Sequence, residues 1–438
     1  MPPPLALGNK SLVRALARSF LAGEQNIDSI AARAGQTLGR DWRWLRPLSQ
    51  RYLAAIAGLT RPRHRDVVRF LLADRNFARA WSRHYYEISF ATWMTEPPQM
   101  QPVAAALAWD LPRLETVGAL CDWLWLEPGQ LEWYADLRNL NARAEHPELG
   151  HYYCRVLSKS DGGLRLIEAP KRHLKKLQRQ ILTEILDKIP PHAAAHGFVK
   201  RRSIRTFAAP HTGRRVVLRL DLQDFFPTFG AARIQTVFRT FGYPESVADL
   251  LGGLCNAVIP RHFLSGLPEA RDLYSRPHLP QGAPTSPALA NICSYRIDCR
   301  LSGLARSAGA AYTRYADDLA FSGDEDFERR IDRFSAHVSA ILLDEGFRVN
   351  FRKSRVMRQG VRQHLAGLVV NQHINVSRHD FDLLKATLSN CVLHGPQSQN
   401  REGHTDFRAH LEGRTGFVES INAARGAKLR KILNRIEW

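Results

Sequence analysis

The spacing of apolar and polar positions changes about a third of the way along the chain. Up to about residue 145, apolar side chains recur every three or four residues, as in Ser11–Ala22, Asp66–Ala80 and Leu114–Leu126, with arginines on the remaining faces. That period predicts helices. Pro97, Pro98, Pro102 and Pro112 interrupt it and predict short helices rather than one rod. From about residue 150, Tyr152–Leu157 and Leu164–Glu168 read as strands on either side of a polar turn, Ser158–Gly163, a β-hairpin. A charged helix over Lys171–Lys188 follows Pro170, and Arg215–Asp221 reads as a strand ending in a carboxylate. Beyond the loop around Pro277–Pro280 come a helix from about Pro287 to Ala305 and an apolar hairpin centred on Tyr315-Ala316-Asp317-Asp318. A helix over Phe327–Glu345 and a strand over Phe347–Phe351 follow, and from Ser377 the pattern is again helical and basic. No internal repeat is evident.

The 438 residues are 44% hydrophobic, which excludes disordered and low-complexity classes, and the length suggests three compact units. Sixty-two Lys and Arg against 42 Asp and Glu leave a net charge of +20, which favours a polyanionic partner, nucleic acid before an anionic membrane. No apolar run is long enough to span a bilayer, and the N-terminal residues do not read as a secretory signal, so the expected location is the cytoplasm. None of Cys121, Cys154, Cys255, Cys293, Cys299 and Cys391 forms a C-x-x-C pair; they read as reduced thiols rather than zinc ligands. Arginines alternate with aromatics in Asp41–Arg46 and Arg79–Tyr86. That mixture suits either rings stacked on bases or amphipathic helices that bury tryptophan and expose arginine.

Two segments place acids at the ends of apolar strands: Leu218–Phe226, with Asp221, and Tyr312–Phe321, with Asp317 and Asp318. Carboxylates flanked by Tyr, Leu and Phe are costly to ionise unless cations neutralise them. Magnesium prefers oxygen ligands, and two such ions can activate a hydroxyl and stabilise a leaving pyrophosphate. Asp221 and Asp317 lie ninety-six residues apart, so only tertiary folding brings them together. An isolated Asp-Asp pair in a turn is by itself an ordinary structural feature.

Tyr315-Ala316-Asp317-Asp318 resembles the Y-x-D-D motif of reverse transcriptases, and Asp221 matches their other metal-binding aspartate. Leu279–Pro287 resembles the motif that contacts nucleotide and template. Arg165–Pro170 resembles a fingers strand, and His196-Gly197-Phe198 with Arg202-Ser203-Ile204 resembles the next block. Gly346–Ser354 and His364–Asn371 resemble later palm blocks, all in the family's order across about residues 150 to 375. The wording of Leu279–Pro287 and Arg314–Gly323 is most similar to bacterial retron reverse transcriptases.

The resemblance implies an α+β right-hand polymerase: fingers and palm over 146–375 with an antiparallel-sheet palm, and a helical RNA-binding thumb over 376–438. A helical, basic N-terminal extension over 1–145 precedes them. It implies that Asp221, Asp317 and Asp318, with the backbone carbonyl of Leu222, hold two Mg2+ ions, with Mn2+ as a substitute. Lys159, Arg165, Phe226, Gln281, Gly282 and Lys353 are the expected nucleotide-binding residues, Phe226 lying where the family excludes a 2′-hydroxyl. Core packing for Phe226 and plain solvated lysines at 159 and 353 are the competing readings. Arg414, Lys428, Arg430 and Lys431 are expected to contact RNA. The implied partners are a cognate structured non-coding RNA, its cDNA, deoxynucleotides and an effector protein encoded nearby, in anti-phage defence. Retrons tend to carry Val-Thr-Gly after the palm; Leu365-Ala366-Gly367 keeps only the glycine, a departure that bears on 2′-hydroxyl priming. An untemplated, abortive-infection or group II intron-like enzyme and an inactive RNA-binding scaffold are the alternatives.

Overall fold

The computed structural model describes residues 10–57, 62–89, 91–92, 99–143, 149–158, 164–267 and 271–438. Two compact units emerge, one from residues 1–190 with 229–289, the other from 191–228 with 290–438. They cut across the three segments expected from the motifs, because each unit draws its core from stretches far apart in sequence.

The first unit begins with five helices: α1 (Lys10–Leu21), α2 (Ile27–Thr37), α3 (Leu45–Ile56), α4 (His64–Ala73) and α5 (Arg75–His84). Leu16, Phe20, Tyr52, Leu71, Phe77 and Trp81 sit in one buried cluster, with Trp42 beside them. Trp42 and Trp81 are thus core residues; of the two readings of the arginine–aromatic segments, the amphipathic one holds at these rings. The helix expected over Asp66–Ala80 is two helices. Asp74 is extended, and its carboxylate accepts the Phe77 N–H to cap α5, the preference of Asp for an N-cap overriding the continuous apolar period. Leu114–Leu126 shortens to a helix over Val117–Leu124 capped by Thr116. The hairpin forms as expected from β1 (Tyr152–Ser158) and β2 (Leu164–Pro170), in register from Tyr152↔Pro170 to Ser158↔Leu164. The helix after Pro170 runs over Arg172–Glu184 and breaks at Ile185.

The second unit is built on an antiparallel sheet of order β4–β5–β3–β6: β3 (Val216–Asp221), β4 (Ala311–Tyr315), β5 (Asp318–Gly323) and β6 (Arg355–Arg358). Central β3 is almost wholly buried, which its run of Val and Leu requires. The strand expected over Phe347–Phe351 is displaced. Only Val349 bridges β3's extension, at Leu222; the chain then turns, with the Lys353 and Ser354 amides both donating to the Asn350 carbonyl, and pairing resumes at Arg355. The helix expected over Pro287–Ala305 breaks at Ser294 into Ser286–Cys293 and Tyr295–Ser307, and that over Phe327–Glu345 breaks at Arg330. Three short strands follow, β7 (His364–Leu365), β8 (Leu368–Val369) and β9 (Asn375–Val376). The β7–β8 turn is Ala366-Gly367, both at positive φ (45° and 83°), as a tight primed turn requires.

Helices over Arg378–His394, Phe407–Ile421 and Ala423–Leu433 end the chain. Their Leu384, Leu388, Leu411, Val418, Leu429 and Leu433 share one core with Val217, Ala320 and Met357 of the sheet. The C-terminal helices therefore belong to the same compact unit as the sheet. The architecture is α+β, an antiparallel sheet packed with helices and preceded by a helical N-terminal region. Among the described residues no helix is long and apolar enough to cross a membrane.

Candidate active site

Strand pairing brings the three predicted carboxylates together. In the β3–β5 ladder Asp221 lies directly opposite Asp318. Strands β4 and β5 close on a two-residue turn, Ala316-Asp317, flanked by the pair Tyr315↔Asp318. Ala316 takes positive φ, 55°, and the Leu222 N–H donates to the Asp317 carbonyl at 2.9 Å, tying the turn to the end of β3. In an extended residue the N–H and C=O point the same way, so the Leu222 carbonyl is aimed towards the turn. Gly197 backs it closely: a Cβ there would lie 2.6 Å from the Ala316 nitrogen. The Asn291 amide donates to the Gly197 carbonyl at 2.8 Å.

The cluster is electrostatically uncomfortable. Burial pushes the Asp317 carboxyl up to about 6, and the neighbouring Asp318 and Asp221 add to the shift. Asp221 is also raised, chiefly by burial; Lys353 opposes, Asp318 reinforces, and Arg219 and a hydrogen bond from Asn350 oppose. Asp318 has its own cation: Arg219 Nε and a second guanidinium nitrogen both reach its Oδ1 at 2.8 Å. Asp221 and Asp317 are the carboxylates left to face a cation. Among the described residues no group of three or more His, Cys, Asp or Glu side chains could hold a metal ion by itself. Magnesium takes one or two carboxylates and completes its shell with water and substrate phosphate, and Asp221 and Asp317 supply oxygen donors of that kind. The donor set fits such an ion.

Comparison with known proteins decides the family. The sequence profile described as "Reverse transcriptase (RNA-dependent DNA polymerase)" matches residues 157–385, half of the chain. The chain belongs to the reverse transcriptase family, and within it to the bacterial retron type. It is 41% identical over 298 residues to the retron Mx65 reverse transcriptase of Myxococcus xanthus, covering 67% of this chain and 66% of that one. It is 35% identical over 342 residues to the retron Mx162 reverse transcriptase of the same organism, with 75% and 68% covered. With the retron Ec86 reverse transcriptase of Escherichia coli it shares 30% over 275 residues, with 63% and 77% covered. The alignments thus span about two thirds of the length of the two Myxococcus relatives.

The remaining predicted residues of this reverse transcriptase fall in both units. In the second unit, Phe225 is buried against Phe347, whereas Phe226 is only partly covered, its ring 6.1 Å from the half-exposed Phe198. Lys353, partly buried, lies close enough to Asp221 and Asp317 to favour their ionised forms. In the first unit, Arg165 is exposed on β2, and the Gln281 carbonyl accepts the Glu168 N–H at 2.9 Å, stitching the Gln281–Gly282 loop to that strand. Gly282 has φ 138°, and a Cβ there would come within 2.8 Å of the Glu168 carbonyl oxygen, so the loop needs glycine. Beneath it, buried Glu168 receives a hydrogen bond from His278 at 3.0 Å. Lys159 lies outside the described residues.

Arg430 is held by both oxygens of Glu419, at 2.9 and 2.6 Å, and knits two C-terminal helices together. Lys428 and Lys431 are exposed, and Arg414 lines a cavity of about 490 Å³ with Gly367, Asp380 and His410. Sequence reasoning missed three groups that shape the site. Arg219, two residues before Asp221, shares its face of the sheet, a placement the period of a strand already implies. Asn350 carried no such signal. Fully buried Arg314 pairs with both oxygens of Asp298, at 2.8 and 2.6 Å, and reaches Asn291 Oδ1 at 3.1 Å and the Ala316 carbonyl at 3.3 Å. It anchors the turn that carries Asp317.

Proposed function

We infer that this chain is the RNA-directed DNA polymerase of a retron, copying part of a cognate structured non-coding RNA into cDNA with deoxynucleotides and Mg2+. The observation that carries the reading is the convergence of Asp221 and Asp317, with Asp318 held aside by Arg219, in a chain of this family. Asp221 and Asp317 hold the metal ions, and the Leu222 carbonyl adds a neutral oxygen. Two bound ions supply the Lewis acidity that activates the primer hydroxyl and stabilises the leaving pyrophosphate. Lys353 offsets negative charge beside the carboxylates, and Arg314 with Asn291 keeps the turn in place. Arg165, Lys159, Gln281 and Gly282 contact the incoming nucleotide, with glycine permitting close approach of the backbone, and Phe226 disfavours ribonucleotides. Lys428, Lys431 and Arg414 contact RNA. The product is an RNA–DNA hybrid, and the enzyme works beside an effector in anti-phage defence.

The test is primer extension by the purified full chain on an RNA template with a DNA primer, deoxynucleotides and Mg2+ or Mn2+. Incorporation by the wild type and its loss in Asp221→Asn and in Asp317→Asn are expected. Equal incorporation by wild type and variants would overturn the assignment of the carboxylates. Sequencing the nucleic acid that co-purifies from cells tests the substrate: one short cDNA joined to one RNA supports the retron reading, and random-sequence DNA contradicts it.

A further inference from the structure

Residues 1–91 carry fifteen Lys and Arg against six Asp and Glu, a surplus that no part of the polymerase chemistry uses. In the bundle seven arginines are engaged by named partners. Arg33 is buried and donates to the Ser19 and Glu24 carbonyls; Arg40 meets Glu87, Arg46 meets Asp28, and Arg51 grips Asp74. Arg63 reaches Gln235 and Asp249, and Arg65 and Arg69 flank Asp66.

Helix α5 is different. Phe77 and Trp81 bury one face, while Arg75, Arg79 and Arg83, at i, i+4 and i+8, are exposed on the other. The helix itself contains no acid. The two acids at its ends are already bound: Asp74 caps the helix and pairs with Arg51, and Glu87 pairs with Arg40 and His84. Among the described residues none of the three arginines has an acidic partner. Successive arginines rise about 6 Å along the axis and step about 40° around it, so the three form a gently slanting row about 12 Å long on one face. Tyr86, just beyond the end of the helix, is 89% exposed.

We propose that this face of α5 is a docking surface for the phosphate backbone of an RNA stem. The proposal deepens the reading of the chain as a polymerase that works on a structured RNA, and it rests on that reading. Charge complementarity selects a polyanion. The burial of Trp42 and Trp81 biases the kind of contact: these two rings are in the core, and the exposed face of the helix offers three guanidinium groups, with the Tyr86 ring beyond its end as the exposed aromatic nearby. A row of rigidly held guanidiniums binds backbone without reading sequence, which is how A-form stems are recognised. The surface therefore holds the RNA in place and does not select it.

The test uses the full chain and a fluorescent RNA hairpin of arbitrary sequence with a stem of about 16 base pairs. Binding is measured by anisotropy from about 50 to 300 mM salt. Replacing Arg75, Arg79 and Arg83 together by Gln should weaken binding at least tenfold at about 100 mM salt and flatten log K against log salt by about 2 to 3 units, close to 0.9 for each phosphate no longer neutralised. The matching Arg→Lys triple variant should recover most of the affinity. Extension of a short primer–template should be unchanged in the Gln variant, with an unchanged circular dichroism spectrum. An unaltered salt slope with extension intact would overturn the α5 proposal alone. Absence of extension in the wild type would instead overturn the polymerase reading. Loss of binding to phosphatidylserine vesicles with RNA binding untouched would assign the face to a membrane and also overturn the proposal.

Discussion

The palm sheet and the N-terminal bundle use the same residue, arginine, in opposite ways. In the sheet, Arg314 is completely buried and its charge is matched by a bidentate Asp298, to which the Tyr312 hydroxyl also donates. Arg219 is likewise committed to Asp318. On α5, Arg75, Arg79 and Arg83 are exposed and, among the described residues, face no acid. The difference follows from what each region must do. A turn that carries two mutually repelling carboxylates needs a rigid frame, and a buried, fully paired guanidinium supplies geometry rather than net charge. A surface meant for a long polyanion needs the reverse, charge left available to solvent and to phosphate.

The contrast can be broken at its strongest point first. Asp317→Asn should lower nucleotide incorporation by about 10³-fold or more, as the proposed role of this carboxylate in holding metal requires, while its melting temperature stays level or rises because the repulsion within the cluster falls. A variant that is inactive because it is unfolded would defeat that expectation in a melting curve. Next in size is the frame. Arg314→Met leaves Asp298 buried without its cation and should cost about 3 to 5 kcal/mol in urea unfolding. Adding Asp298→Asn should recover a large part of that cost; if it does not, the pair is not what holds the turn.

A third test concerns the polar links inside the sheet. His211 is buried, with Nδ1 2.7 Å from Ser322 Oγ and Nε2 2.8 Å from Thr313 Oγ1. Burial, with help from Arg214 and His196, pushes its pKa down to about 3. The unfolded chain takes up a proton near pH 6.5 that the folded chain refuses, so this contribution is intact above pH 6.5 and is lost as pH falls towards 3. The slope is up to about 1.4 kcal/mol per pH unit. Urea midpoints at pH 6.5 and 5 should diverge for the wild type, and the gap should narrow for His211→Gln, with His196, whose pKa burial lowers to about 4, keeping part of it. The smallest effect belongs to the bundle: replacing Arg75, Arg79 and Arg83 by Gln should change unfolding free energy by about 0.5 kcal/mol or less per site. A larger loss would mean that those arginines serve the fold after all.

Much of the site could be read from residue order. The strand ending in Asp221, the Tyr315–Asp318 hairpin, the Gln281–Gly282 loop and the basic terminal helices are local features, governed by period, turn chemistry and charge over a dozen residues or fewer. The Arg219–Asp318 contact was within reach too, since a period of two puts Arg219 and Asp221 on one face. Other features had no local signature. The strand expected at Phe347–Phe351 is reduced to a single bridge at Val349, and pairing resumes at Arg355–Arg358, because the Lys353 and Ser354 amides close a turn on the Asn350 carbonyl. The end of α4 was hidden by an apolar period that runs straight through Asp74.

Residue order therefore set the chemistry available: which acids, which glycines, and the helical or extended habit of each segment. Tertiary structure decided the partners. It placed Asp221 opposite Asp318 and within electrostatic reach of Asp317, ninety-six residues on, gave Asp318 to Arg219 and Arg430 to Glu419, and turned Trp42 and Trp81 inward while leaving the α5 arginines outside. Propensity acts through a residue's immediate neighbours, whereas pairing and burial depend on which distant surfaces meet, and that is a property of the whole chain.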